Sequence, residues 1–99
     1  MLLLIIRIIS TRSREGLHFW RSTHGYEVDF LVGGRVAIEV KATWKASLRD
    51  AKGLLALKEE RVAKRFLLVS EDPIAAKRDG IEFLPWSTFL RRLWDGAIV

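Results

Sequence analysis

The stretch that decides the fold is Tyr26-Glu-Val-Asp-Phe-Leu-Val-Gly-Gly-Arg-Val-Ala-Ile-Glu-Val-Lys41. Residues 26–32 alternate between polar and apolar side chains, and residues 36–43 are rich in β-branched ones, so each segment predicts a β-strand. Gly33 and Gly34, which lie between the two segments, predict a turn. Residues 17–23 have aromatic and β-branched content and predict a further strand upstream. The three strands are expected to form an antiparallel meander with short connections.

Downstream of this meander the hydrophobic period lengthens to that of a helix. Ser47, followed three residues later by Asp50, predicts a helix start with a variant of the capping box. Apolar residues then recur at helical spacing: Leu48, Ala51, Leu54 and Leu55. The short apolar run Arg65–Ser70 is typical of a strand that is buried on both faces. Because a strand–helix–strand connection implies a right-handed crossover, this run should lie parallel to residues 36–43.

The C-terminal part of the chain predicts one more strand and one more helix. Residues 81–84 predict a short strand, and residues 85–94 predict a helix that Ser87 could cap. The apolar face of this helix would consist of Phe89, Leu90, Leu93 and Trp94. The complete order predicts an α/β fold with a mixed sheet, in which an antiparallel β-meander is followed by a β-α-β crossover.

Length and composition limit the class of protein. A chain of 99 residues forms one domain at most. There is no cysteine, which excludes disulfides and thiolate metal sites. The 17 basic and 12 acidic residues leave a net charge of +5. This charge favours nucleic acid or another polyanion as a partner, although many basic proteins bind neither.

Residues 1–9 are apolar except for Arg7. The segment is too short to span a bilayer, which takes about 20 residues, and it lacks the flanks of a signal peptide. It is expected to be buried in the core or in a homodimer. A second interpretation is that it is the remnant of a larger domain. We therefore separate an apolar N-terminal segment and loop, residues 1–16, from a domain over residues 17–99, and expect a cytoplasmic protein with no membrane contact.

The candidate chemistry lies on the third strand. Strand alternation places Glu39 and Lys41 together on the face opposite Val40. If Asp29 on the preceding strand pairs with Glu39, two carboxylates and an ammonium converge. Two adjacent carboxylates repel unless a cation lies between them, and oxygen ligands of this kind suit Mg²⁺ or Mn²⁺. Such an ion can activate water for phosphodiester hydrolysis. The alternative is a plain solvent-exposed ion pair of little energetic value.

The connection at Gly33 decides between these interpretations. A two-residue turn would pair Asp29 with Ile38 and place Glu39 on the other face of the sheet. A three-residue loop would pair Val32 with Val36 and Asp29 with Glu39, and it would also gather the apolar residues of both strands on one face. Burial of six such side chains contributes on the order of 10 kcal/mol before entropy. We therefore predict an odd-numbered loop or a β-bulge, with the two carboxylates within about 6 Å of each other.

Several blocks of the sequence also resemble a known family. Phe19-Trp-Arg21, Gly25-Tyr-Glu-Val-Asp-Phe30, Ile38-Glu-Val-Lys41, Phe66-Leu-Leu-Val-Ser70 and Leu84-Pro-Trp86 resemble the C-terminal domain of unknown function found on predicted AAA-type ATPases of bacteria and archaea. The resemblance covers about residues 17 to 95. That domain is similar to the PD-(D/E)XK nuclease superfamily, which has a restriction-endonuclease-like core.

The resemblance implies a site and a set of functions. Asp29, Glu39 and Lys41 would be the catalytic residues, and Asp29, Glu39 and the main-chain carbonyl of Val40 would hold Mg²⁺ or Mn²⁺. The partner would be nucleic acid, DNA more than RNA, and the alternative is a non-catalytic interaction module. Two departures stand out: the upstream glutamate of the superfamily has only Glu15 or Glu27 to take its place, and no G-x-x-x-x-G-K-[ST] motif accompanies the domain.

The remaining aromatic and imidazole side chains favour structural interpretations. The four tryptophans are expected in the core or an interface rather than as base-stacking platforms, and they are Trp20, Trp44, Trp86 and Trp94. His18 and His24 have no histidine or cysteine at ligand spacing, so a zinc site is not expected.

Overall fold

The computed structural model of the chain describes residues 17–21, 27–32, 35–61 and 63–98. Within the first two strands it describes the backbone and the side chain of Leu31. The elements are β1 (Leu17–Arg21), β2 (Glu27–Val32), β3 (Val36–Val40), a 3-10 helix (Leu48–Ala51), α1 (Lys52–Glu59), β4 (Arg65–Ser70), β5 (Ala76–Arg78), β6 (Ile81–Pro85) and α2 (Trp86–Trp94). The expectations for residues 1–16 fall outside the described part of the chain.

The strands form one mixed sheet in the order β1-β2-β3-β4-β6-β5. β1, β2 and β3 pair antiparallel in sequence order, which confirms the predicted meander. β4 lies parallel to β3, as the crossover predicted, and β6 lies parallel to β4. The carboxyl ends of β3, β4 and β6 therefore meet at one edge of the sheet, where the loops that follow them are brought together.

Each face of the sheet buries its own apolar cluster. The α1 face is the one covered by α1, and its strands contribute Leu31, Ala37, Phe66, Leu68, Ile81 and Phe83. The α2 face is the one covered by α2, and its strands contribute Val36, Ile38, Leu67, Val69 and Leu84. Leu67 and Leu68, which are neighbours in β4, are both fully buried on opposite faces. This two-sided burial is the reason that β4 reads as a continuous apolar run rather than as an alternating one.

The end of β3 and the start of the first helix differ from the sequence prediction. β3 ends at Val40 rather than at residue 43, although the chain stays beside β4, since Lys41 N–H donates to the Val69 carbonyl at 2.9 Å. The predicted helix begins as a 3-10 turn, in which Asp50 N–H donates to the Ser47 carbonyl at 3.0 Å. The Asp50 carboxylate accepts the Ser47 N–H at 3.0 Å, so the expected capping by this pair is confirmed.

The short strand β5 has no counterpart in the sequence prediction. It runs antiparallel to β6, with Arg78 opposite Ile81. The two residues between them, Asp79 and Gly80, both have positive φ, of 50° and 80°. Asp-Gly is a strong signal for a two-residue hairpin turn with this geometry, so the hairpin could have been predicted from this dipeptide.

The start of α2 and its exposed side also differ from expectation. The N-cap residue is Pro85, so Ser87 lies inside the helix instead of capping it. Phe89 and Leu93 are fully buried on the α2 face as predicted, but Trp94 is 61% exposed. A core role for Trp94 is therefore wrong, because α2 is an outer layer whose far side meets solvent.

Candidate functional site

The pairing of β2 with β3 has the predicted parity. Val32 pairs with Val36, and Phe30 pairs with Ile38, so a three-residue loop joins the strands. This confirms the expectation of an odd-numbered connection. The observed β2–β3 pairs end at Phe30 and Ile38, and β2 shifts its register against β1 between Val28 and Leu31, so the pairing of Asp29 with Glu39 stays a prediction. The Asp29 side chain lies outside the described part of the structure, so the carboxylate distance and the Asp29 ligand stay predictions.

Glu39 is a buried carboxylate on the α1 face. In the same strand Ala37 lies on the α1 face and Ile38 on the α2 face, so the alternation of side chains places Glu39 on the α1 face. The Glu39 side chain is only 11% exposed, and its Oε2 is shielded from solvent. Across the sheet it pairs with Leu68 of β4. Burial on an otherwise apolar face is costly for a charged group, so a plain solvent-exposed pair is the wrong description of this glutamate.

Lys41 follows the end of β3 and turns toward this carboxylate. Its Nζ lies 3.5 Å from Glu39 Oε1, while its side chain remains 43% exposed. The ammonium therefore partly neutralises Glu39 and can still reach a ligand that approaches from solvent. Between them lies Val40, which is half-buried and packs against the α2-face cluster, as the predicted alternation requires. Glu39, Val40 and Lys41 thus lie together at the carboxyl end of a parallel strand, where ligand sites of α/β sheets occur.

The described residues do not by themselves complete a metal site. Within residues 35–61 and 63–98, and the described parts of β1 and β2, no group of three or more His, Cys, Asp or Glu side chains could hold an ion. The side chains of Asp29 and Glu27 and the whole of Glu15 lie outside the described part, as do those of His18 and His24. The metal set Asp29, Glu39 and Val40 is therefore described at Glu39 and Val40 alone.

A basic cleft, which the sequence did not predict, opens at the same end of the sheet. Its volume is about 580 Å³, and the side chains that line it include Lys45, Arg49, Asp72, Ile74, Arg78 and Phe83. Lys45 and Arg49 come from the segment after β3, Asp72 and Ile74 from the segment after β4, and Arg78 from β5. Residues so far apart in the chain share no local spacing. The carboxyl ends of the parallel strands bring the two loops together, and Arg78 joins them from β5, where it pairs with Ile81 at the start of β6.

Asp72 organises the wall of this cleft. Its two carboxylate oxygens accept the backbone N–H groups of Ile74 and Ala46, each at 2.9 Å. The hydrogen bonds from Ile74 and Ala46 hold the pKa of the Asp72 carboxyl below its ordinary value, with smaller contributions from Arg78 and Lys45. Asp72 therefore stays ionised and ties the two loops together.

Trp44, Trp86 and Trp94 are exposed, so the core alternative that the sequence predicted is wrong for these three. Trp44 is 76% exposed and Trp86 is 42% exposed, so neither belongs to the core. The Trp20 side chain falls outside the described part of the structure. An interface role is open to Trp44, Trp86 and Trp94, because large exposed aromatic side chains are common at binding surfaces.

Comparison with known proteins identifies the family. The profile described as Domain of unknown function (DUF4143) matches residues 4–89. The chain belongs to the DUF4143 family. No curated protein and no solved structure matches it. The DUF4143 match extends from the N-terminal segment through β6 and into α2, and so it includes Asp29, Glu39, Lys41 and the cleft.

The described part of the chain contains the 3-10 helix and the two α-helices α1 and α2. Over that part of the chain, none is long and apolar enough to cross a membrane. α2, with nine residues, is the longest of them.

Proposed function

We propose that this DUF4143 chain is a metal-dependent nuclease-type domain of the PD-(D/E)XK kind, which acts on or binds the phosphodiesters of nucleic acid, DNA more than RNA. Asp29, Glu39 and the main-chain carbonyl of Val40 would hold Mg²⁺ or Mn²⁺. Lys41 would neutralise charge on the scissile phosphate. The proposed setting is the cytoplasm, and the proposed fold relation is to the restriction-endonuclease-like core.

The observation that carries the proposal is the register of β2 and β3. Because Val32 pairs with Val36 and Phe30 with Ile38, continuation of this register by one pair would place position 29 opposite position 39. A one-residue change in the loop would have moved Glu39 to the other face relative to position 29. The register supports convergence of the two acids, which is the feature on which the metal site depends.

The environment of Glu39 supports the same proposal. A carboxylate that is nearly buried loses solvation, which a bound cation would compensate. The donor set of a carboxylate and a carbonyl oxygen suits a hard divalent cation. When bound, the ion would activate water and stabilise phosphate charge. The Lys41 side chain is 43% exposed and its Nζ lies 3.5 Å from Glu39 Oε1, so its ammonium is accessible to a phosphate oxygen.

The charge of the chain supports a polyanionic ligand. The net charge is +5, and three of the exposed cations line one cleft: Lys45, Arg49 and Arg78. Asp72 is the acid described in this cleft, and both of its oxygens accept backbone N–H groups. The cleft is thus positive overall, which attracts a phosphate backbone toward the proposed centre.

Cleavage assays with a matched control test the proposal. Purified chain is incubated with labelled single- and double-stranded DNA and RNA, with Mg²⁺, Mn²⁺ or chelator. We expect metal-dependent cleavage by the wild type, a loss of roughly 100-fold or more in Glu39→Gln, since the ion would lose a charged ligand, and little change in Glu82→Gln. Equal cleavage by Glu39→Gln, or cleavage that persists in chelator, would contradict the assignment of the centre.

A second candidate is a non-catalytic interaction module, of the kind expected beside an AAA-type ATPase. The exposed tryptophans of α2, Trp86 and Trp94, favour a protein partner or a homodimer, because both are large aromatic side chains that face solvent. Sedimentation of the wild type and of Trp94→Ala distinguishes the candidates. A dimer that dissociates on this substitution, together with no cleavage under any metal condition, supports the interaction module over the nuclease.

A further inference from the structure

The loop that follows β3 carries an exposed aromatic side chain on a constrained backbone. Trp44 is 76% exposed and lies between Thr43 and Lys45. The neighbouring segment after β4 fixes this loop on both sides of Trp44. Glu71 N–H donates to the Thr43 carbonyl at 3.0 Å, and Ala46 N–H donates to Asp72 at 2.9 Å. The indole is thus presented to solvent by a backbone that is held in place, although burial would have been favourable for so large an apolar group.

The basic cleft begins at Lys45, the residue that follows Trp44. Lys45, Arg49 and Arg78 line the cleft, and the exposed side chain of Ile74 adds apolar surface. The guanidinium of Arg78 lies 5.9 Å from the centre of the Phe83 ring, a cation–π contact that restrains it over the floor of the cleft. An anion that enters the cleft would therefore meet three cationic side chains.

The cleft and the Glu39 centre lie on the same face of the sheet. Glu39 pairs with Leu68, and Leu68 pairs with Phe83, so the cleft floor is two strands away from Glu39 in one cross-sheet row. Two strand spacings correspond to about 10 Å. Trp44 follows Lys41 by three residues, which limits its distance along the backbone to about 11 Å. Both separations are shorter than a strand of a few nucleotides.

We propose that Trp44 and the cleft of Lys45, Arg49 and Arg78 bind unpaired nucleotides, so that single-stranded nucleic acid, or the single-stranded end of a duplex, is the substrate. This inference rests on the proposed function, because it takes the bound strand to be the substrate of the Glu39 centre. Cations alone would bind any polyanion, but an exposed indole stacks only on bases that are not already stacked and paired. The combination selects unpaired strands over duplex and over free phosphate.

The test measures binding in chelator, where cleavage cannot interfere. Fluorescence anisotropy is recorded with a labelled thymidine 12-mer, an abasic 12-mer with the same phosphates, and a 12-base-pair duplex. We expect the thymidine 12-mer to bind most tightly. Trp44→Ala should weaken its binding by roughly 5- to 150-fold, the usual range for loss of one stacked base, and leave the abasic strand unaffected. Trp44→Phe should retain most of the affinity, because phenylalanine also stacks.

Two further variants separate stacking from charge and from general aromatic exposure. Trp94→Ala removes another exposed tryptophan, on the helix of the opposite sheet face, and should leave all three affinities unchanged. Arg49→Ala should weaken the binding of the thymidine and abasic strands equally. It should also make the affinity less dependent on salt concentration, by the amount expected for the loss of about one phosphate contact.

Distinct outcomes would overturn the inference and the proposed function. Preference for duplex, equal binding of the thymidine and abasic strands, no binding at low salt, or equal effects of Trp44→Ala and Trp94→Ala would overturn the inference. If Trp44→Ala behaves as expected but no metal-dependent cleavage occurs, the single-strand site stands and the nuclease proposal fails. If Glu39-dependent cleavage occurs without a role for Trp44, the nuclease proposal stands and this inference fails.

Discussion

Replacing Glu39 with glutamine separates a metal-binding carboxylate from a structural ion pair. The substitution keeps the size of the side chain and removes its charge. In the wild type, the carboxylate lies 3.5 Å from Lys41 Nζ. At an effective dielectric constant of about 20, this distance corresponds to an attraction of about 5 kcal/mol. Because the Lys41 side chain is 43% exposed, solvent screening reduces the net value well below this figure.

The opposing cost is desolvation of the carboxylate. Its side chain is 11% exposed, and transfer of such a charge out of water costs several kcal/mol. If Asp29 stands opposite, repulsion between the two acids adds to this cost when no cation is bound. We therefore expect Glu39→Gln to be as stable as the wild type in chelator, or more stable by up to about 1 kcal/mol. For a domain of this size, this range corresponds to an increase in Tm of zero to about 8 °C.

Thermal denaturation followed by circular dichroism, in chelator and with Mn²⁺, is the measurement. At 100 times its Kd, Mn²⁺ should stabilise the wild type by about 2.7 kcal/mol, or roughly 10–20 °C, and Glu39→Gln far less. Glu82→Gln is the control, since it removes an acid paired with Arg65 and should lower Tm without changing the response to Mn²⁺. A loss of about 3–5 kcal/mol for Glu39→Gln in chelator, with no Mn²⁺ effect on either protein, would refute the reasoning and leave a structural pair.

Three further predictions concern stability. Arg65 holds the pKa of the Glu82 carboxyl below its ordinary value, and its Nε lies 2.7 Å from Glu82 Oε2. The stabilisation from this ion pair is therefore complete above about pH 5 and is lost as pH falls through the lowered pKa of Glu82. Glu82→Gln should lower the free energy of unfolding by about 1 kcal/mol in urea denaturation at pH 7. A variant that loses stability in acid as steeply as the wild type would count against the pair. Leu67 is fully buried, so Leu67→Ala should cost about 2–5 kcal/mol by the same assay, and a cost below 1 kcal/mol would mean that the α2 face is loosely packed. Gly80 has a φ of +80° and a Cβ there would collide with Lys58 Nζ, so Gly80→Ala should lower stability by about 1 kcal/mol, whereas an unchanged Tm would show that the hairpin turn adapts.

Much of the fold follows from local patterns in the sequence. Alternation predicted β2 and β3, and the continuous apolar run predicted β4 with the bounds that the structure has, Arg65–Ser70. The three-residue connection was predicted because burial of the apolar side chains contributes more free energy than the preference for a two-residue turn. The pairing of Val32 with Val36 confirms it. The omission of β5 has a different cause: its three residues are largely exposed and have no apolar periodicity, and they are held by pairing with β6.

The sequence by itself determined which side chains share a face of a strand, because that depends only on backbone alternation and the parity of one loop. It therefore placed Glu39 and Lys41 on one face of β3, and it predicted that Asp29 pairs with Glu39. Only the tertiary structure decided what covers each face and which loops meet. The burial of Glu39, the exposure of Trp44, and the cleft of Lys45, Arg49 and Arg78 all depend on segments distant in sequence, since layers and strand ends are brought together by long-range packing that no local spacing encodes.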